Sequence, residues 1–367
     1  MSCGMNHLEL FSGIGGFRRA MELIQKDGLI PFSNVGYSEI NDRAATTYRA
    51  NYDTSHEIGI GDIVNFTSNP ASIKKLPRID IITGGFPCQA FSMMGNMMGF
   101  EEDRGQMFFR IMDIVNIKKP KYLLLENVKN LLVHDGGRTY AKIIEEIDKA
   151  GYYQQTLLLN TADYGLPQKR YRVLIFARRK HFGKFSFCEE DIKRHFECID
   201  KSNCSLSIYN NVLDILNKKV ESKYYLSERV KPTILSDGTG GYKSHSEIDL
   251  IIARTLTATM NKMHRACQDN YYSDEFLQSG GKNRPSERMN KEELAKIPIR
   301  KLTPEEAFML QGFPADFVKK AREKEVSDGA LYTQSGNAVS VNTIYTLLHF
   351  LINKGIIKKP LNKNNKM

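Results

Sequence analysis

Short apolar runs alternate with amphipathic stretches through the first half of the chain. Leu8-Glu9-Leu10-Phe11 reads as a strand, and after Ser12-Gly13-Ile14-Gly15-Gly16 the segment from Phe17 to Ile24 has helical periodicity. Val35 to Glu39 predicts a second strand, followed by a helix from about Asp42 to Tyr52. Ile79 to Thr83 is a third strand, Met107 to Ile117 a helix, and Tyr122 to Val128 a buried strand. A helix around Thr139 to Lys149, a strand near Gln155 to Leu159 and a strand over Arg172 to Ala177 continue the series. Such alternation predicts an α/β fold built on a doubly wound, mostly parallel sheet.

After about Arg179 the pattern breaks. The region to about Ile299 shows no sustained βα alternation and carries polar glycine turns, together with basic and aromatic residues such as Lys243, Arg254, His264, Arg265 and Tyr272. That mixture suits a smaller, irregular domain that contacts a polyanion through its backbone and offers loops for readout. Further on, the segment Arg300 to Pro314 reads as a compact helix with proline near its start and glycine after its end, and Gln334 to Val341 opens a long apolar helix running to about Asn353. The expected division is 1–180 for the first domain, 181–327 for the second, 328–357 for a segment returning to the first, and 358–367 for a frayed basic tail.

Candidate chemistry gathers at the ends of the predicted strands. Ile81-Ile82-Thr83-Gly84-Gly85-Phe86-Pro87-Cys88-Gln89-Ala90-Phe91-Ser92 is a strand emptying into a tight turn, with proline fixing φ before a cysteine. A lone cysteine usually packs as a small hydrophobe, but two glycines and a proline are not needed for packing, whereas a nucleophile needs access. The strand, glycine turn and helix N-terminus around Ser12 to Phe17 make a cradle of backbone N–H groups, and Glu39 at the second strand's end is placed to accept ribose hydroxyls. Glu126 ends a neighbouring strand, where it either caps that strand or faces the same pocket as Cys88. Arg170 and Arg172 point the same way if Gln168-Lys169-Arg170-Tyr171-Arg172 is extended, as a solvated basic face or as paired guanidiniums. The connection from Gln89 to Gln106 holds Met93, Met94, Met97 and Met98 and reads as a closing lid, with a mobile surface loop as the alternative.

Composition narrows the classes. The 367 residues are 41% hydrophobic and 26% charged, which allows a full core, and the net charge of +10 favours a polyanionic partner. Six scattered cysteines do not make a secreted disulfide framework. His195, Cys198 and Cys204, with His181 and Cys188 nearby, raise a zinc site, but without paired Cys-x-x-Cys knuckles they read as scattered structural thiols, and no metal is expected. The start lacks the n- and h-regions of a signal peptide, and no run reaches a membrane span of ~18 apolar residues. A cytoplasmic monomer with no membrane contact is therefore expected.

Taken together, these motifs resemble the C5-cytosine-specific DNA methyltransferases of the bacterial modification type. Phe11-Ser12-Gly13-Ile14-Gly15-Gly16 resembles the family's cofactor loop, Pro87-Cys88-Gln89 its nucleophile motif, Glu126-Asn127-Val128 its acid motif and Gln168 to Arg172 its paired-arginine motif. Leu302-Thr303-Pro304 through Gly312-Phe313-Pro314 and Gly336-Asn337-Ala338-Val339 resemble the last two, in the family's order. The likeness covers roughly residues 7 to 180 and 300 to 353.

The resemblance implies a Rossmann-like fold that binds S-adenosylmethionine and releases S-adenosylhomocysteine. Phe11 would stack on the adenine, Glu39 bind the ribose and Asp62 read the adenine amino group, with Gly13, Ile14, Gly15, Gly16, Ile40, Ile63, Pro87, Asn337 and Val339 lining the rest. It implies that Cys88 attacks the cytosine ring, that Glu126 donates or shares a proton near N3, that Arg172 contacts O2 and that Arg170 orders Glu126 and the backbone. The partner is double-stranded DNA, touched by Gln89, Ser92, Arg254 and Thr255, with a separate restriction endonuclease as a possible companion. An RNA cytosine methyltransferase acting on tRNA is the alternative; a DNA-binding regulator on an inactive scaffold fits poorly with Cys88, Glu126, Arg170 and Arg172 all present. A nicotinamide oxidoreductase leaves the cysteine motif unexplained, and an amino-methylating enzyme lacks its Asp/Asn-Pro-Pro-aromatic string.

Overall fold

The computed structural model describes residues 4–87, 107–238 and 243–359. Cys88, Gln89, Ser92 and the connection expected to close as a lid lie outside the described residues, as does most of the tail from 358. The chain divides into two compact units, one of residues 1–160, 171–206 and 343–367 and the other of 161–170 and 207–342. The division falls after 206 rather than 180, and the returning segment begins at 343 rather than 328.

In chain order the first elements are β1 (Met5–Leu10), α1 (Gly16–Lys26), β2 (Phe32–Ser38), α2 (Asp42–Asn51), β3 (Ile58–Gly59), α3 (Ile63–Thr67), α4 (Pro70–Lys75), β4 (Ile81–Gly85), α5 (Met107–Lys118), β5 (Tyr122–Val128), α6 (Arg138–Lys149), β6 (Tyr152–Asn160), β7 (Gln168–Lys169), β8 (Tyr171–Arg179) and α7 (Glu189–Cys198). Seven strands form one sheet in the order β3-β2-β1-β4-β5-β8-β6. The pairs β3/β2, β2/β1, β1/β4 and β4/β5 are parallel, so the expected doubly wound architecture is present. The order reverses between β1 and β4, and the C-terminal ends of these two strands diverge there into the glycine turn and the Phe86-Pro87 segment. β8 departs from the expected direction, running antiparallel to both β5 and β6. No crossover helix separates β6 from β8, and two strands joined without one pair antiparallel.

One face of the sheet, with Leu8, Leu10, Ile82, Leu125 and Val173, shares a core with Ile111 and Val115 of α5 and Ile143 and Ile147 of α6. On the other face Phe176 meets Phe187, and Phe187 meets Phe350 edge-on at 5.4 Å. Phe350 belongs to the C-terminal helix Val341–Asn353, whose residues from 343 onward lie in this unit. That helix was expected to start at Gln334; instead a separate helix, Asp328–Asn337, precedes it. Among the described residues no helix is long and apolar enough to cross a membrane.

The second unit has short elements and two small clusters, one around Tyr272, Phe276, Leu302 and Leu310 and one around Ile234, Tyr271 and Ile299. Strand Tyr271–Ser273 pairs antiparallel with Ile299–Lys301, and β7 pairs parallel with Ala253–Arg254. Arg300 and Glu306 form a fully buried two-pronged pair, both bonds being 2.8 Å, and Glu306 also accepts the Thr303 N–H at the start of helix Pro304–Met309. Such an arrangement satisfies both charges and a helix terminus at once.

Candidate active site

At the end of β1 the backbone enters a left-handed turn, with φ of 52° at Phe11, 54° at Gly13 and 82° at Gly15, which precedes α1. A side chain at Gly15 would run into the ring of Tyr52, so glycine is required there on two counts. The Gly13 N–H donates to Glu39 Oε2 at 2.8 Å, and the Asn41 N–H donates to Oε1 at 2.7 Å. Burial raises the Glu39 pKa. Glu39, just past β2, thus stands beside the glycine turn, and the next residue, Ile40, is 72% exposed. The Ser38 hydroxyl donates to Gly61 O at 2.9 Å and ties this strand end to the turn that carries Asp62. Asp62 Oδ1 accepts the Val64 N–H at 2.8 Å and caps α3, while Ile63 and Ile14 are buried.

These residues fit an adenosyl group. Among the described residues the buried Ser12 hydroxyl finds no hydrogen-bond partner, a Cβ added at Gly13 would meet no atom within 4 Å, and an acid and an exposed apolar side chain stand in sequence at 39 and 40. A ribose would find its acceptor in Glu39, and a base its apolar contacts in Phe11 and Ile40.

Glu126 lies beside Gly85, the last residue of β4, in parallel register. Arg172 Nε is 2.9 Å from Glu126 Oε1, with the two side chains 17% and 12% exposed. The carboxyl therefore sits largely out of water against the Arg172 guanidinium. Pro87, exposed, directly precedes Cys88. Asn127 was not singled out by sequence reasoning: it is buried, and its side-chain amide donates to Phe86 O at 2.9 Å, tying β5 to the segment that leads into the cysteine. An amide at the end of the apolar run Tyr122-Leu123-Leu124-Leu125 is the signal, because a buried amide must find partners.

The two arginines do different work. Arg170 sits between β7 and β8, outside either strand, and belongs to the second unit. Its guanidinium donates to the carbonyls of Leu256 at 3.0 Å, Gly336 at 2.9 Å and Ala338 at 2.8 Å. Arg170 is thus bonded to backbone carbonyls, and Arg172 is paired with Glu126. Nearby, Gln168 donates to Leu310 O at 2.9 Å and accepts the Leu256 N–H at 3.0 Å, a framework role that sequence reasoning left unassigned. Asn337, exposed, and Val339, buried, flank the carbonyls that Arg170 holds. A side chain at Gly336 would run into the Thr257 backbone.

Arg254 donates through Nε to Ala266 O at 3.0 Å, and the Thr255 hydroxyl donates to Lys169 O at 2.6 Å. Both side chains, expected to touch DNA, donate to backbone carbonyls within their own unit. His195 Nε2 lies 2.7 Å from His349 Nδ1, and among the described residues no three His, Cys, Asp or Glu side chains are grouped to hold a metal.

A sheet with this strand order and a glycine turn after its first strand define a Rossmann-like fold. Residues 5–353 match the model of the C-5 cytosine-specific DNA methylase family, and the chain belongs to that family. It is 35% identical over 350 residues to the type II methyltransferase M1.ScrFI of Lactococcus lactis subsp. cremoris, covering 93% of this chain and 76% of that protein. It is 34% identical over 347 residues to the type II methyltransferase M.HpaII of Haemophilus parainfluenzae, covering 92% and 86%. Among solved structures, the Dnmt2 methyltransferase of S. pombe superposes with a TM-score of 0.69 at 19% identity, covering 96% of this chain and 99% of that one, a likeness of fold. The activity is DNA cytosine-5 methylation.

Proposed function

We propose that the chain methylates C5 of a cytosine turned out of double-stranded DNA, with Cys88 as the nucleophile. The observation that carries this reading is the Glu126–Arg172 pair at the end of β5, beside the last residue of the strand that leads to Pro87 and Cys88. Cytosine C5 is a poor nucleophile until a thiolate adds at C6. The Cys88 sulfur forms the S–C6 bond, and the C5–C6 π electrons move onto C5 and the ring toward N3, where the Glu126 carboxyl stabilises them by donating or sharing a proton. Arg172 holds Glu126 and would contact O2. S-adenosylmethionine, when bound, supplies the electrophilic methyl; Phe11, Gly13, Ile14, Gly15, Gly16, Glu39, Ile40, Asp62 and Ile63 would hold it. Once C5 is methylated, N3 gives its proton back to Glu126, the C5 proton leaves to solvent, and its bonding pair re-forms the C5–C6 double bond as the C6–S bond breaks and expels the thiolate.

Neither ring face is accessible in stacked DNA, so the base must leave the duplex at a cost of a few kcal/mol. The second unit, outside the strands that carry these groups, would choose the sequence, with phosphate contacts positioning and base contacts specifying. The type II names of the relatives support a modification role beside a separate endonuclease. The test is methyl incorporation into double-stranded DNA and into tRNA, with trapping on a duplex carrying 5-fluorocytosine, whose C5 cannot lose a proton. A stable covalent complex with the duplex, mapped to Cys88, is expected; transfer to tRNA alone would overturn the substrate, and turnover without trapping the nucleophile.

A further inference from the structure

The turn that carries Gly13 and Gly15 is gripped by the next βα unit. The Ser12 N–H donates to Ser38 O at 2.8 Å and the Gly13 N–H to Glu39 at 2.8 Å, which fixes the front of the turn to the end of β2. At its rear the Tyr52 hydroxyl donates to Gly15 O at 2.7 Å, the carbonyl of the residue that caps α1. Glycine at 15 is what lets the Tyr52 ring come so close. Beneath the tyrosine, the Arg18 guanidinium stacks 4.3 Å from the Tyr52 ring centre and is anchored by Glu57 Oε1 at 2.6 Å and Asp53 O at 2.9 Å. Burial pushes the Tyr52 phenol well above its ordinary range, so it remains a neutral donor. Phe11 adopts its left-handed φ of 52° within this grip, a conformation that a bulky residue keeps only when its surroundings impose it.

We propose that Tyr52 is a positioning residue for the cofactor turn: its ring is braced by the Arg18–Glu57 pair, and its hydroxyl sets the Gly15 carbonyl and with it the backbone that receives S-adenosylmethionine. The inference rests on the cofactor reading above. Tyr52 touches no reacting atom; it acts through Gly15. The full-length chain with Tyr52→Phe keeps the ring and loses the bond, and Tyr37→Phe is a matched control, because Tyr37 packs on the neighbouring Tyr48 at 4.5 Å while its hydroxyl accepts from Arg49.

Calorimetric binding of S-adenosylhomocysteine, thermal melting, and KM and kcat with double-stranded DNA are the readouts. For Tyr52→Phe, Kd and the KM for S-adenosylmethionine should rise about 3- to 10-fold, the scale of one hydrogen bond, with kcat at saturation unchanged. Tyr37→Phe should bind as the wild type does. Wild-type affinity in Tyr52→Phe, equal weakening in both variants, or a fall in kcat with KM unchanged would each overturn the proposal. If the wild-type chain itself does not bind S-adenosylhomocysteine, or if Phe11→Ala binds it equally well, the cofactor reading fails and takes this inference with it.

Discussion

Arg172 reaches Glu126 diagonally: its Nε lies 2.9 Å from Glu126 Oε1, although Val128 is the residue directly opposite it in the β5/β8 register. Two residues from adjacent strands therefore form one unit, in which the guanidinium holds the orientation of the acid.

The pair predicts non-additive losses. Glu126→Gln should retain DNA binding and slow single-turnover methylation by about two to four orders of magnitude, the scale of a positioned proton donor. Arg172→Ala should fall by a comparable amount, and the double variant should be little worse than the weaker single one. Losses that multiply would show that the two residues act independently.

Cys88→Ser should abolish methyl transfer while S-adenosylhomocysteine binding stays near wild type, because a serine hydroxyl is far less readily ionised than a thiol. Residual turnover at a tenth of the wild-type rate would remove Cys88 from its role.

The Arg300–Glu306 pair predicts a stability effect remote from the chemistry. Both side chains are fully buried, so removing one leaves the other charge without compensation. Glu306→Ala should destabilise the fold by about 3–5 kcal/mol in denaturant unfolding. A loss below about 1 kcal/mol, the level of an exposed pair, would mean that water reaches the site.

Two groups on β1 set opposing limits on stability with pH. Burial lowers the His7 pKa from 6.5 to about 4, so its folded form prefers to be neutral; the stability it contributes is present above 6.5 and is lost as pH falls through 4. Burial raises the Glu9 pKa from 4.5 to about 8, so the protonated acid is favoured in the fold; its contribution is present below 4.5 and is lost as pH rises through 8. Glu9→Gln should therefore flatten the decline in unfolding free energy between pH 5 and 8 and leave the acid limb in place. An unchanged alkaline slope in that variant would assign the decline elsewhere.

The alternation of strands and helices was legible because it is local: apolar runs of strand length, helical periodicity and glycine turns each act within a few residues. For the same reason the strand ends bearing Glu39, Glu126 and the approach to Cys88 could be placed without coordinates, since open α/β sheets gather such ends at one edge.

Contacts between distant segments decided the rest. The direction of β8 follows from which strands it joins, which its own residues do not state. The expected long helix breaks after Asn337, where the Gly336 and Ala338 carbonyls accept from Arg170 Nη2 rather than continuing a helical ladder; that donor lies more than 160 residues earlier in the chain. Arg170 and Arg172 are two residues apart in one motif, yet one is enclosed by carbonyls and the other faces a carboxylate. Residue type made each a candidate, but a guanidinium binds whatever acceptors the fold brings within reach, and only the tertiary structure supplied them.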